Sequence, residues 1–193
     1  MPVKPPPPRR LPAPQRREAI LDAAASLFAE LPAEAVSMSD IVRSAGVSRP
    51  VVYDHFKTKR ELVVALIERH HQTVIDSLAE LAAAGGVTDE AGYREVLTGI
   101  LGHFERDPAG WRLLCAGPSA DPIVAAVQRR NRDEILALTV ETLKVPDANL
   151  AIAEALRNAI NGLFGWRREH PDVTHGQLID AAVLLTWRGL GRP

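Results

Sequence analysis

Residues 41–59 read IVRSAGVSRPVVYDHFKTK. Arg49, Tyr53, His55 and Lys59 stand within this short span, and each can donate a hydrogen bond to a phosphate oxygen. The arginine fork also matches guanine O6 and N7, while Val51 offers only methyl surface, which suits a thymine methyl group. This set suits contact with a polyanion. It makes and breaks no bonds.

Other chemistries lack their residues. There is no Gly-rich phosphate loop, no GxSxG and no HExxH, so neither an enzyme nor a cofactor is expected. The adjacent His70 and His71 must point to different sides of a helix. With His103, His170 and His175 they match no metal-ligand spacing, so they read as surface residues and no metal site is expected. Cys115 is the single cysteine. It excludes an internal disulfide and fits a reducing cytoplasm, and in its apolar run it reads as buried and inert.

These residues need elements to position them. Ile20, Ala23, Ala24, Leu27, Phe28 and Leu31 form one helical stripe, closed by Pro32. Arg16 and Arg17 fall at its N-terminus, where the helix dipole disfavours cations and a phosphate would compensate. Ser37 and Asp40 form a capping box for a second helix, and Ser37 can also face a phosphate there. Gly46 supplies a left-handed turn, and Ser48 caps a third helix whose inner side is Val52 and Phe56. Thr58 and Glu61 box the start of a fourth helix that reaches about residue 84. Further caps at Asp89, Asp107, Asp121 and Thr174 predict helices to the end of the chain, among them one over about 147–169 and one over about 175–190. No segment alternates with a period of two, so the expected fold is all-α with about nine helices.

Composition agrees. The 193 residues are 46% hydrophobic and 5% aromatic, with mean hydropathy −0.05. The net charge of −1 hides an asymmetry: residues 1–60 carry ten Lys and Arg against six acids, a balance of +4 that leaves −5 for residues 61–193. A basic N-terminal part on an acidic body suits a polyanion contact at one end. No apolar run is long enough to cross a bilayer, and the start lacks the apolar core of a signal peptide, so no membrane contact and a cytoplasmic location are expected. Residues 1–14 hold seven of the 15 prolines and read as a disordered, basic, polyproline-like leader. Residues 15–60 then form a helix-turn-helix unit, and residues 61–193 a helical body.

The run AILDAAASLFAELPAEAVSMSDIVRSAGVSRPVVYDHFKTKRELVVAL, residues 19–66, resembles the TetR family of bacterial transcriptional regulators. The resemblance rests on the aliphatic-Ala-Ala…Leu-Phe first helix, Ser-Met-x-x-Ile, Ala-Gly-Val-Ser and Tyr-x-His-Phe-x-x-Lys. It implies that Arg49, Val51, Tyr53 and His55 lie on the recognition helix and that Lys59 contacts phosphate. Ser48, Ser37, Arg16 and Arg17 complete the expected DNA contacts. The chain departs from the family pattern at Val51, at Asp54, and at Leu31-Pro32-Ala33, which replaces the usual turn glycine.

One recognition helix reads too few bases, so a homodimer on a palindromic operator is expected, with the two helices about 34 Å apart. The last two helices are apolar nearly all round. They yield the interface candidates Leu156, Ala159, Ile160, Leu163, Leu178, Val183, Leu185 and Trp187. The resemblance also implies an effector pocket in the middle helices, with Tyr93, Leu97, His103, Phe104, Trp111, Leu114 and Cys115 as candidate liners for a small apolar or amphipathic molecule. The expected function is a ligand-responsive repressor. The rival is an architectural DNA binder without an effector, which would bind regardless of sequence and with steep salt dependence.

Overall fold

The computed structural model describes residues 12–115 and 117–190, with the side chains of Pro146 and Leu190 outside the description. The described residues form nine α-helices and three short 3-10 turns, with no strand. They fall into two compact units divided between Ala65 and Leu66.

The first unit begins with α1 (Ala13–Glu30), whose apolar stripe buries Ile20, Leu21, Ala24 and Phe28. Leu31 and Pro32 adopt extended backbone, and a 3-10 turn over Ala33–Ala35 leads to α2 (Met38–Ala45). The capping box forms as expected. Ser37 Oγ accepts from the Asp40 amide at 3.2 Å, and Asp40 Oδ2 accepts from the Ser37 amide at 3.0 Å and from Ser37 Oγ at 2.6 Å. The Ser37 hydroxyl and backbone bonds, joined by Arg43, hold the Asp40 carboxyl below its ordinary value. Gly46 ends α2 at φ +63°, a conformation that costs other residues strain. Then α3 (Arg49–His55) starts at once, and α1 packs along α2.

The N-terminal segment Lys59–Ala65 of α4 (Lys59–Ala83) completes this unit with buried Leu62 and Val63. Its capping differs from the expected box. Thr58 Oγ1 accepts from the Glu61 amide at 3.2 Å, but Glu61 reaches back to the amide of Lys57, not Thr58, at 2.8 Å. Ser48 occupies the N-cap of α3 without a side-chain cap bond.

The second unit takes the rest of α4 with α5 (Glu90–Arg106), α6 (Pro108–Cys115), α7 (Pro122–Thr142), α8 (Leu150–Arg167) and α9 (His175–Thr186). Its core joins Tyr93, Leu97 and Leu101 of α5 to Leu156 and Phe164 of α8 and to Leu178, Ala182 and Val183 of α9. The Tyr93 hydroxyl is satisfied inside this core by Thr186 Oγ1 at 2.8 Å. From α7, Thr142 Oγ1 donates to Leu78 O of α4 at 3.3 Å.

Several sequence expectations need correction. The leader does not extend to residue 14, because Ala13 and Pro14 already belong to α1; residues 1–11, with Lys4, Arg9 and Arg10, lie outside the described residues. The eighth helix starts at Leu150, not 147. Asp147 and Ala148 have φ of 54° and 49°, outside the right-handed helical region, and the Asn149 side chain caps the Ala151 and Ile152 amides. The last helix ends at Thr186, and a 3-10 turn follows over Arg188–Leu190. His70 and His71 are not surface residues: only 2% and 5% of each is exposed. Among the described residues no helix is long and apolar enough to cross a membrane.

Candidate functional site

In α3 the pattern sorts the side chains by face. Val52 is buried within the helix, and Phe56 just after it. Arg49 is exposed, and Val51, Tyr53 and His55 are half-exposed. Arg49 and Tyr53 are one turn apart and touch: Arg49 Nη2 donates to Tyr53 Oη at 3.5 Å, and the guanidinium carbon lies 5.4 Å from the ring centroid. A cation–π pair of this kind, worth about 0.5–1 kcal/mol at an exposed site, favours both donors on the same side of the helix. Ser48 is exposed beside them, and Asp54 is exposed too.

The remaining expected contacts are placed differently. The Arg17 guanidinium lies 4.3 Å over the Phe56 ring, so this side chain packs as much as it faces outward. Arg16 is half-buried. Ser37 is exposed, with its hydroxyl spent on its own cap. Lys59 Nζ donates to the carbonyls of Ala33 and Val36, both at 2.9 Å. Two of its three donors therefore tie the start of α4 to the α1–α2 connection. Sequence reasoning missed this bracing role, because the acceptors are backbone oxygens on a turn with no side-chain signature.

The second unit holds a cleft of about 180 Å³ lined by Leu101, Phe104, Glu105, Pro108, Trp111, Phe164, Arg167 and Arg168. Phe104 meets Phe164 edge-on at 5.6 Å between centroids and Trp111 at 6.0 Å. The Arg168 guanidinium lies 5.5 Å from the Trp111 ring, and Arg167 approaches Glu105 at 4.0 Å. Two lining residues keep buried donors without a hydrogen-bond partner among the described residues, Trp111 Nε1 and Arg167 Nε. Of the expected liners, Phe104 and Trp111 are here. Tyr93 and Leu97 are sealed in the core instead. Leu114 and Cys115 are half-buried outside the lining, and burial pushes the Cys115 thiol up to about 12.

His103 belongs to a different cluster. Its Nε2 lies 3.1 Å from His70 Nδ1, which lies 3.0 Å from Asp107 Oδ2. Asp107 Oδ1 accepts from the Gly110 amide at 2.9 Å. The His70 hydrogen bond, with help from the Gly110 amide, holds Asp107 down at about 2 against the cost of burial. Burial, and then the neighbouring His70, lower His103.

The interface candidates divide. Leu156, Leu178, Val183 and Trp187 are buried in the protomer's own core, as packing alone would have them. Ala159, Ile160 and Leu163 are half-buried. Leu185 is 58% exposed, with Leu184 at 61% and Trp166 at 47%.

Residues 20–66 match the family model described as "Bacterial regulatory proteins, tetR family". Over 189 residues the chain is 26% identical to the HTH-type transcriptional activator FasR of Mycolicibacterium smegmatis, covering 94% of this chain and 85% of that one. It is 30% identical over 162 residues to the HTH-type transcriptional regulator Mb3439c of Mycobacterium bovis, covering 84% and 77%. The crystal structure of a TetR-like transcriptional regulator from Rhodococcus sp. RHA1 superposes with a TM-score of 0.74 at 27% identity, over 94% of this chain and 99% of that one. The chain belongs to the TetR family of bacterial transcriptional regulators, which are DNA-binding proteins and not enzymes.

Proposed function

We propose that the chain is a ligand-responsive repressor that binds a palindromic operator as a homodimer. The observation that carries this reading is the outward Arg49–Tyr53 pair on α3, held behind the Gly46 turn and backed by buried Val52 and Phe56. Arg49 and Val51 read base edges, while Tyr53, His55 and the exposed Ser48 hydroxyl serve phosphates; the Ser37 hydroxyl is already engaged by Asp40. Lys59 keeps one donor for DNA beyond its bracing bonds. Exposed Leu184 and Leu185 near the end of α9 support a face for a second copy.

The aromatic cleft is the effector site in this reading. At about 180 Å³ it is smaller than a usual small-molecule pocket, so a ligand must widen it. Its aromatic walls and partnerless donors suit an amphipathic molecule with an acceptor group. Such a ligand releases DNA if it prefers the conformation in which the two recognition helices are out of register. FasR carries the word activator in its name, which supports activation as the second reading of the same site.

Selection from a randomised duplex pool tests the proposal. It should recover inverted half-sites about one helical turn apart. Recovery without sequence preference would replace it with the architectural reading.

A further inference from the structure

Three side chains from three places in the second unit converge at one point: His70 on α4, His103 on α5, and Asp107 in the link to α6. Their ligand atoms lie within 4.8 Å of one another. The hydrogen bonding there is frustrated. His70 Nδ1 has one in-plane position, holding either a proton or a lone pair. Yet it faces Asp107 Oδ2 at 3.0 Å and His103 Nε2 at 3.1 Å, and one proton cannot serve both at full strength. His70 is 2% exposed, so relief by water is open only to its partly buried partners. A cation at the meeting point satisfies all three lone pairs together.

We propose that His70, His103 and Asp107 form a binding site for a divalent transition-metal ion of the zinc class. Around a tetrahedral zinc with bonds of about 2.0–2.1 Å, ligand atoms sit about 3.3 Å apart. The two short separations, 3.0 and 3.1 Å, need a few tenths of an ångström of opening, and the His103–Asp107 pair, within 4.8 Å, closes by rotation of these partly buried side chains as the ion binds. Two imidazoles and one carboxylate are a common protein set for such an ion, with the fourth position left to solvent or an anion. That position has access, since His103 and Asp107 are only partly buried. Arg69 and Arg106, whose charges reach Asp107 and His103, favour an anionic fourth ligand.

The surroundings are built for the site. The Gly110 amide holds Asp107 Oδ1 and so aims Oδ2 at His70, the kind of outer hydrogen bond that orients metal-binding carboxylates. A Cβ at residue 110 would collide with His70 Nδ1 and Cγ, so glycine alone leaves the space beside the ligand atoms. Neutral imidazoles and an ionised carboxylate are the forms that bind metal. Occupancy would tie α4 to α5 and to the start of α6.

The test uses the full chain after dialysis against chelator, titrated with Zn²⁺ by calorimetry and with Co²⁺ by visible absorption. The expected result is one ion per chain and a Co²⁺ spectrum of tetrahedral intensity. His103→Gln and Asp107→Asn should each lose about 100-fold or more in affinity. Asp107→Asn keeps the oxygen that accepts from Gly110, and His103 is only partly buried, so both variants should fold, as circular dichroism will show. His170→Ala, remote from the cluster in sequence, should bind as the parent does. Absence of binding by both metals, or unchanged affinity in both ligand variants, would overturn the proposal.

Discussion

Lys59 marks where charge counting and geometry part. A lysine at a helix start beside a DNA-reading element invites a phosphate role, yet its ammonium holds the Ala33 and Val36 carbonyls. Lys59→Met should therefore destabilise the free protein by about 1–3 kcal/mol, read by chemical denaturation without DNA. Unchanged stability together with weakened DNA binding would show that phosphate is its main partner. Cys115 is half-buried, not fully buried as its apolar run suggested, and its thiol is nonetheless shielded from ionisation. Burial raises it to about 12, so an aromatic disulfide reagent at neutral pH should label the native protein far more slowly than the unfolded chain. Labelling at equal rates would contradict this. The face of α3 was legible because period and chemistry coincide there. The His70–His103–Asp107 cluster was not: His103 and Asp107 stand one helical turn apart, but His70 lies 33 and 37 residues before them on another helix, and no local spacing joins it to them.

At the scale of elements, punctuation was the readable part. Ser37 with Asp40 and Thr174 with Gln177 form the capping boxes their spacing predicts. Boundaries slipped where backbone overrides pattern, as at Asp147 and Ala148, whose left-handed dihedrals postpone α8 to Leu150. The Gly46 turn allows a clean test. A Cβ there would meet nothing within 4 Å, so the cost of Gly46→Ala is backbone strain alone, about 1 kcal/mol. Gly46→Asn should recover part of it, since asparagine tolerates this conformation better. Equal melting temperatures for parent and alanine variant would show that the turn is not under strain.

For the whole molecule, the family and the all-α fold followed from the motif in residues 19–66 and the absence of strand periodicity. The packing of the last helices did not. Apolar residues all round α8 and α9 suggested one interface, and much of that surface is the protomer's own core, around Tyr93 and its bond to Thr186. The exposed remainder near Leu184 and Leu185 is where a second copy should dock. Leu184→Glu with Leu185→Glu should yield a folded monomer in sedimentation. A persistent dimer would move the interface elsewhere.

The central claim is that the Arg49–Tyr53 face of α3 reads DNA. Fluorescence anisotropy on the chain's own upstream duplex and a scrambled duplex, at one near-physiological salt, tests it most directly. The account predicts selective binding with two protomers or more per site. It also predicts that Arg49→Ala, Tyr53→Ala together lower affinity by about 100-fold or more while leaving the melting temperature nearly unchanged. Full affinity in that double variant would contradict it.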